Sequence, residues 1–174
     1  MRGEGPAFAG LGVLEQTPII LEKILHGVSE PVLQWKPAMD RWSIAEVLAH
    51  LSDAEEVFRT RTRRMIEEKS PKLELFDQNA AYAAGKYSGG TGRDRLHKFC
   101  HERDRTLSWL RYLPADAMSR AGEHPELGKV TVGDLWHEWA FHDLGHIKQI
   151  TELFRAKAFY PSMGAFRKYY TLKP

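Results

Sequence analysis

The chain has 174 residues, 43% of them hydrophobic and 28% charged, with a formal net charge of +2; this is the composition of an ordinary soluble globular protein, and near-balance of charge gives no reason to expect nucleic acid or an anionic membrane as partner. Its only cysteine, Cys100, excludes an intrachain disulfide and fits a reducing cytosol. No segment approaches the ~18 apolar residues of a membrane span, and the N-terminus lacks the basic and apolar regions of a signal peptide, so the expected address is the cytoplasm.

The first dozen residues are rich in glycine and alanine and read as irregular. Thr17-Pro18 reads as an N-cap followed by proline at the first helical position, and Ile19, Ile20, Ile24 and Val28 then trace an amphipathic helix ending near Glu30-Pro31. Trp35 and Trp42 bracket a turn segment and read as packing anchors. From Ser43 to about residue 68 the helical signal is clearest, because Ser43-Ile44-Ala45-Glu46 is a capping box and Ile44, Leu48, Leu51, Phe58 and Met65 mark a buried face. Arg59, Arg61, Arg63 and Arg64 alternate with Glu55, Glu56, Glu67 and Glu68, which reads as a solvated helix surface rather than a phosphate site.

Ser70-Pro71 stops that helix. A long connection follows, with a short helix expected over residues 77–84 and a glycine-rich loop over residues 88–92. Thr91-Gly92-Arg93-Asp94 caps a third long helix with Leu96, Phe99, Leu107 and Leu110 inward; His97 and His101, crowded by Lys98, Glu102 and Arg103, read as surface residues. After Leu113-Pro114 comes a polar connection with Gly122, Pro125 and Gly128. Thr131-Val132-Gly133-Asp134 then caps a fourth helix running to about Lys157, and an aromatic, basic tail closes the chain. Four long helices with unequal connections make an all-α four-helix bundle with a long crossover. The whole chain, 1–174, is expected to be one domain, with its core at about 14–160 and a tail over 161–174.

The fourth helix carries the chemistry. His142 and His146 are four residues apart, hence stacked on one helical face, and Leu135, Trp139, Ile150 and Leu153 continue that face, which turns both imidazoles inward. A lone inward histidine is ordinarily a hydrogen-bonded core residue. Two must both find partners, and a shared metal ion satisfies both. A third ligand must come from another element, and His50, mid-helix among Val47, Leu51, Ala54 and Val57, is the best candidate. Three neutral imidazoles around one divalent ion leave a position open, as in reactive rather than structural sites. His137-Glu138-Trp139-Ala140-Phe141 begins like a zinc-protease H-E-x-x-H motif, but Phe141 stands where the second ligand belongs. His142 lies about 140° round the helix from His137, so that reading is rejected. Asp53 and Gln149, each within a turn of a ligand, are candidates for orienting ligand or substrate. No feature beside Cys100 argues for an activated thiol.

The stretches Trp42-Ser43-Ile44-Ala45-Glu46-Val47-Leu48-Ala49-His50-Leu51 and His142-Asp143-Leu144-Gly145-His146-Ile147-Lys148-Gln149-Ile150 resemble the DinB-like superfamily of the YfiT-like fold. The resemblance runs from about Leu14 to Tyr160. It implies up-down-down-up connectivity, a homodimer, and a divalent ion, zinc or nickel, held by His50, His142 and His146. Relatives with an assigned activity include bacillithiol- or mycothiol-dependent S-transferases and a maleylpyruvate isomerase. The expected function is a metal-dependent enzyme acting on a small molecule, either a thiol S-transferase using a low-molecular-weight thiol or a hydrolase. The alternative is a non-catalytic, metal-stabilised binding or scaffold protein.

Overall fold

The structure, a computed structural model, describes Phe8 and residues 10–172. The described residues form α1 (Leu11–Leu25), α2 (Glu30–Leu33), α3 (Ile44–Glu67), α4 (Gln78–Ala83), α5 (Gly92–Leu110), β1 (Ala121–His124), β2 (Gly128–Thr131) and α6 (Val132–Phe154). The capping box expected at Ser43 is present, and the cap expected at Thr131 is a capping box as well. Ser43 accepts from the Glu46 amide while Glu46 reaches back to the Ser43 amide, and Thr131 and Asp134 make the same exchange at the start of α6. Each pair satisfies amides that a helix start otherwise leaves open. Past Phe154, α6 widens into a π turn over Arg155–Phe159, and the tail follows in short 3-10 turns.

Cross-links between the four long helices define their directions. Arg95 bonds the Ala45 carbonyl and Arg103 bonds Glu55, so α3 and α5 run parallel. Trp136 donates to Thr62, while His142 faces His50, so α6 is antiparallel to α3. Phe8 packs on Trp136, and Leu21 shares a cluster with Ile150, so α1 follows α6. The result is an up-down-down-up four-helix bundle. Its parallel α3–α5 pair requires the long crossover, and α4, capped by Asp77, lies within that crossover.

The core divides into two apolar halves. One gathers Leu14, Phe58, Met65, Trp136 and Trp139; the other gathers Leu21, Leu48, Leu51, Phe99 and Ile150. Between them on every long helix lies a polar layer: Thr17 on α1, His50 and Glu55 on α3, Arg103 and Thr106 on α5, and His142, Asp143 and His146 on α6. Buried polar groups of this kind persist only where partners answer them.

Three expectations need correction. The first helix begins at Leu11, not after Thr17, and Pro18 lies inside it. The irregular opening expected for the first dozen residues falls, for residues 1–7 and 9, outside the described residues. Pro18 has no amide for the Leu14 carbonyl four residues back; that carbonyl instead accepts from Arg103 Nη1 at 2.7 Å. The polar connection expected after Leu113-Pro114 contains an antiparallel hairpin, with Ala121 opposite Thr131 and His124 opposite Gly128. Gly122 lets it close on the crossover, because a Cβ there would stand 3.0 Å from the Pro71 carbonyl. Lastly, the arginines are not uniformly solvated. Arg103 is fully buried, and Arg59 is buried against Glu56, Glu102 and Thr106. Arg64 keeps the expected surface pairing with Glu68.

Candidate metal centre

Antiparallel packing of α3 against α6 brings His50 level with the His142–His146 pair. His142 Nε2 stands 3.0 Å from His50 Nε2 and 3.1 Å from His146 Nε2. His50 is 1% exposed, and the other two are half-buried. Aromatic rings fix the His50 plane: Trp42 and Tyr87 meet it edge-on at 5.5 and 5.7 Å, and Phe76 stacks at 6.1 Å. Phe58 meets His142 edge-on at 5.7 Å.

The hydrogen-bond arithmetic within this cluster does not close. Gln149 Oε1 lies 2.8 Å from His146 Nδ1, and an amide oxygen can only accept, so the His146 proton sits on Nδ1 and its Nε2 offers a lone pair. His142 carries at most one proton on Nε2 and cannot donate to both neighbours. The Nδ1 atoms of His50 and His142 are buried without partners. All three rings are held neutral. Burial, followed by the charge of a protonated His146, pushes His50 down to about 4. Burial, then His146 and His50, push His142 down to about 3. His146 is lowered by burial against the opposing bond from Gln149.

Three neutral nitrogens converging without donors suit a divalent cation, which accepts all three lone pairs. Nitrogens at 2.0–2.1 Å from one tetrahedral ion stand about 3.3 Å apart, close to the spacing found here. Gln149 is the kind of partner that orients a ligating imidazole from behind. Asp53 takes a different position. It binds Lys86 Nζ with both oxygens at 2.7 Å and the Tyr87 hydroxyl at 3.1 Å, and reaches the cluster through the Tyr87 ring. His97, His101 and His137 are exposed and apart from it.

The cluster opens on a cleft of about 770 Å³ between α3, α6, the crossover and the hairpin. Ala54, Val57, Phe58 and Leu135 line its walls, the hairpin adds Leu127 and Val130, and the half-buried Arg61 and the exposed Glu138 line it about three and one helical turns from His50 and His142. Sequence reasoning missed two parts of this neighbourhood. Arg61, read as solvated surface, is a cleft residue. Its spacing of eleven from His50 was an available signal, since three helical turns return to nearly the same face. Behind the histidines, Arg103 grips Asp143 through Nη1 at 2.7 Å and Nη2 at 3.0 Å, and Glu55 through Nε at 2.8 Å. Glu55 also accepts from Trp139 Nε1 at 3.2 Å. Burial works against the Arg103 charge, but Glu55 and Asp143 outweigh it and raise its pKa.

An up-down-down-up bundle with three converging imidazoles at the foot of a cleft defines a class of helical proteins with a candidate metal centre. Residues 14–150 match the model of the DinB superfamily, and the chain belongs to that superfamily. A relative from Oceanobacillus iheyensis, named as a candidate metal-dependent hydrolase, is 25% identical over 149 residues, covering 83% of each chain. The solved structure of YfiT from Bacillus subtilis, described as a probable metal-dependent hydrolase with an unusual four-helix bundle topology, shares the fold with a TM-score of 0.72 at 22% identity, covering 84% of this chain and 85% of that one. Among the described residues no helix is long and apolar enough to cross a membrane.

Proposed function

We propose that this chain is a metal-dependent enzyme acting on a small molecule, with a divalent ion, zinc or nickel, held by His50, His142 and His146. The observation that carries the proposal is the convergence of three neutral Nε2 atoms, whose lone pairs the rings' own protons cannot all answer, beside a cleft lined by His50 and His142 and large enough for a substrate. When bound, such an ion supplies Lewis acidity, which polarises a carbonyl or phosphoryl group and lowers the pKa of water or a thiol toward neutrality. The protein does the rest. Gln149 holds His146 in one tautomer, Trp42, Phe76 and Tyr87 hold the His50 ring, and Phe58 packs edge-on against the His142 ring.

The relatives' names support hydrolysis, and the absence of an activated protein thiol suits a thiol supplied by a cosubstrate. Burial, with Glu22 beside it, pushes the Cys100 thiol up to about 12, so Cys100 is no nucleophile at neutral pH. The second reading is a non-catalytic metal scaffold, in which the ion serves stability alone. The deciding experiment screens ester, amide and thiol-transfer substrates with metal-loaded and chelated protein while following the melting temperature. Turnover that vanishes on chelation with a small change in melting temperature supports the enzyme. A collapse in melting temperature with no turnover in any screen supports the scaffold. A homodimer belongs to the same proposal, supported by the exposed Phe159, Phe166, Tyr169 and Tyr170 of the tail; light scattering at micromolar concentration tests it.

A further inference from the structure

The outer part of the cleft holds two opposite charges that face each other without pairing. Arg61 on α3 is half-buried and spends one donor, Nη2, on the Glu74 carbonyl at 2.6 Å. Among the described residues it has no ion pair. Glu138 on α6 is exposed and makes no hydrogen bond among the described residues, yet it lies close enough to act electrostatically on Arg61. The Trp136–Thr62 bond and the Phe58–Trp139 stack at 4.7 Å set the two side chains at nearly the same height. Two other lining carboxylates are already committed, Asp77 to capping α4 and Asp134 to capping α6.

The floor between this charged end and the histidines is apolar and regular. His50, Ala54, Val57, Phe58 and Arg61 fall at positions that share one helical face, and Leu135, Glu138 and His142 do the same on α6. From the level of Glu138 to the level of the histidines is on the order of 10 Å along the bundle.

We infer that this end of the cleft anchors an α-amino-acid group of the substrate, its carboxylate on Arg61 and its ammonium on Glu138, while an apolar chain runs inward over Ala54, Val57, Phe58 and Leu135 to the reacting centre. The inference deepens the metal-enzyme reading and rests on it. A purely anionic tail would meet Glu138, and a purely cationic one would meet Arg61. A zwitterion answers both, and the free edge of the Arg61 guanidinium matches a carboxylate in two-point fashion. Glu126, exposed at the hairpin tip, strengthens the negative side.

The test uses the full chain loaded with zinc and four hydroxamates of equal chain length, titrated by calorimetry: octanohydroxamate, its ω-carboxylate, its ω-amine and the ω-amino acid. The hydroxamate reports the metal centre in all four, so the tail is the only variable. The amino acid should bind about tenfold or more tighter than octanohydroxamate, with the singly charged tails weaker than the amino acid. Arg61→Ala should erase the benefit of the carboxylate, and Glu138→Gln that of the ammonium, with circular dichroism checking that both variants fold. Equal binding of all four probes to the unmodified chain overturns the anchor and leaves the metal centre standing. Failure of every probe to bind zinc-loaded protein overturns the metal-centre reading, and the anchor with it.

Discussion

Two polar clusters lie side by side in the middle of this bundle, and both draw on α3 and α6. One is closed. Arg103 reaches Asp143, Glu55 and the Leu14 carbonyl, so a single guanidinium ties together all four long helices. The other is open. His50, His142 and His146 face one another with too few protons to satisfy their nitrogens, and two Nδ1 atoms are left orphaned. Both clusters carry the desolvation cost of burial, but in the first a guanidinium answers both carboxylates, whereas in the second the converging nitrogens lack the donors to answer one another. The difference separates scaffold from site: the closed network fixes the register of the helices, and that register holds the open cluster in convergence.

The sharpest way to break this comparison is to remove the cation. Arg103→Met leaves Glu55 and Asp143 buried and unpaired, and should lower stability by about 3–5 kcal/mol in denaturant titrations. Replacing Glu55 and Asp143 by leucine in the same protein should recover much of that loss. A mild effect of Arg103→Met alone would contradict a closed, strongly coupled network.

A pH titration of metal-free protein examines the open cluster instead. His50 and His142 are held neutral down to about 4 and about 3, whereas in the unfolded chain histidine protonates near 6.5. Below 6.5 the unfolded state takes up protons that the folded state refuses. Stability is therefore fully present above about pH 7 and falls as pH drops toward 4, by up to about 1.4 kcal/mol per pH unit for each such proton. Urea midpoints measured across this range check it. A flat profile in protein carrying all three histidines would mean that they are solvated and apart.

Smaller effects refine the picture. Gln149→Leu removes the acceptor that orients His146 and should weaken divalent-ion binding by about 10–100-fold, with little change in metal-free stability; competition with a chromogenic chelator measures it. Cys100→Ser should change turnover by less than about twofold in whichever assay responds to the metal, since the thiol is half-buried and held protonated.

The sequence carried the helices and their caps well, because a capping box is a local exchange of hydrogen bonds that four residues specify. It also carried the histidines. Spacing of four along an apolar stripe is a helical fact, and only the meeting of α3 with α6 had to be supplied by the fold. What escaped depended on partners far along the chain. Pro18 reads locally as a helix start, yet it sits inside α1, where Arg103 from α5 serves the carbonyl that proline leaves open. Arg103 lies in a charged run and looks solvated; its burial follows from Asp143, forty residues away. The β1–β2 hairpin has strands of four residues, too short for a period to stand out. Arg61 was hidden by Arg63 and by the Arg64–Glu68 pair, which hold the surface of the same helix.

The most direct measurement is metal content and affinity in protein purified without a nickel column, comparing the unmodified chain with single alanine variants of all six histidines in question. Close to one divalent ion per chain is expected, with affinity reduced by orders of magnitude in His50→Ala, His142→Ala and His146→Ala, and occupancy unchanged in His97→Ala, His101→Ala and His137→Ala. Ion binding that survives loss of the first three, or disappears with the second three, would contradict it.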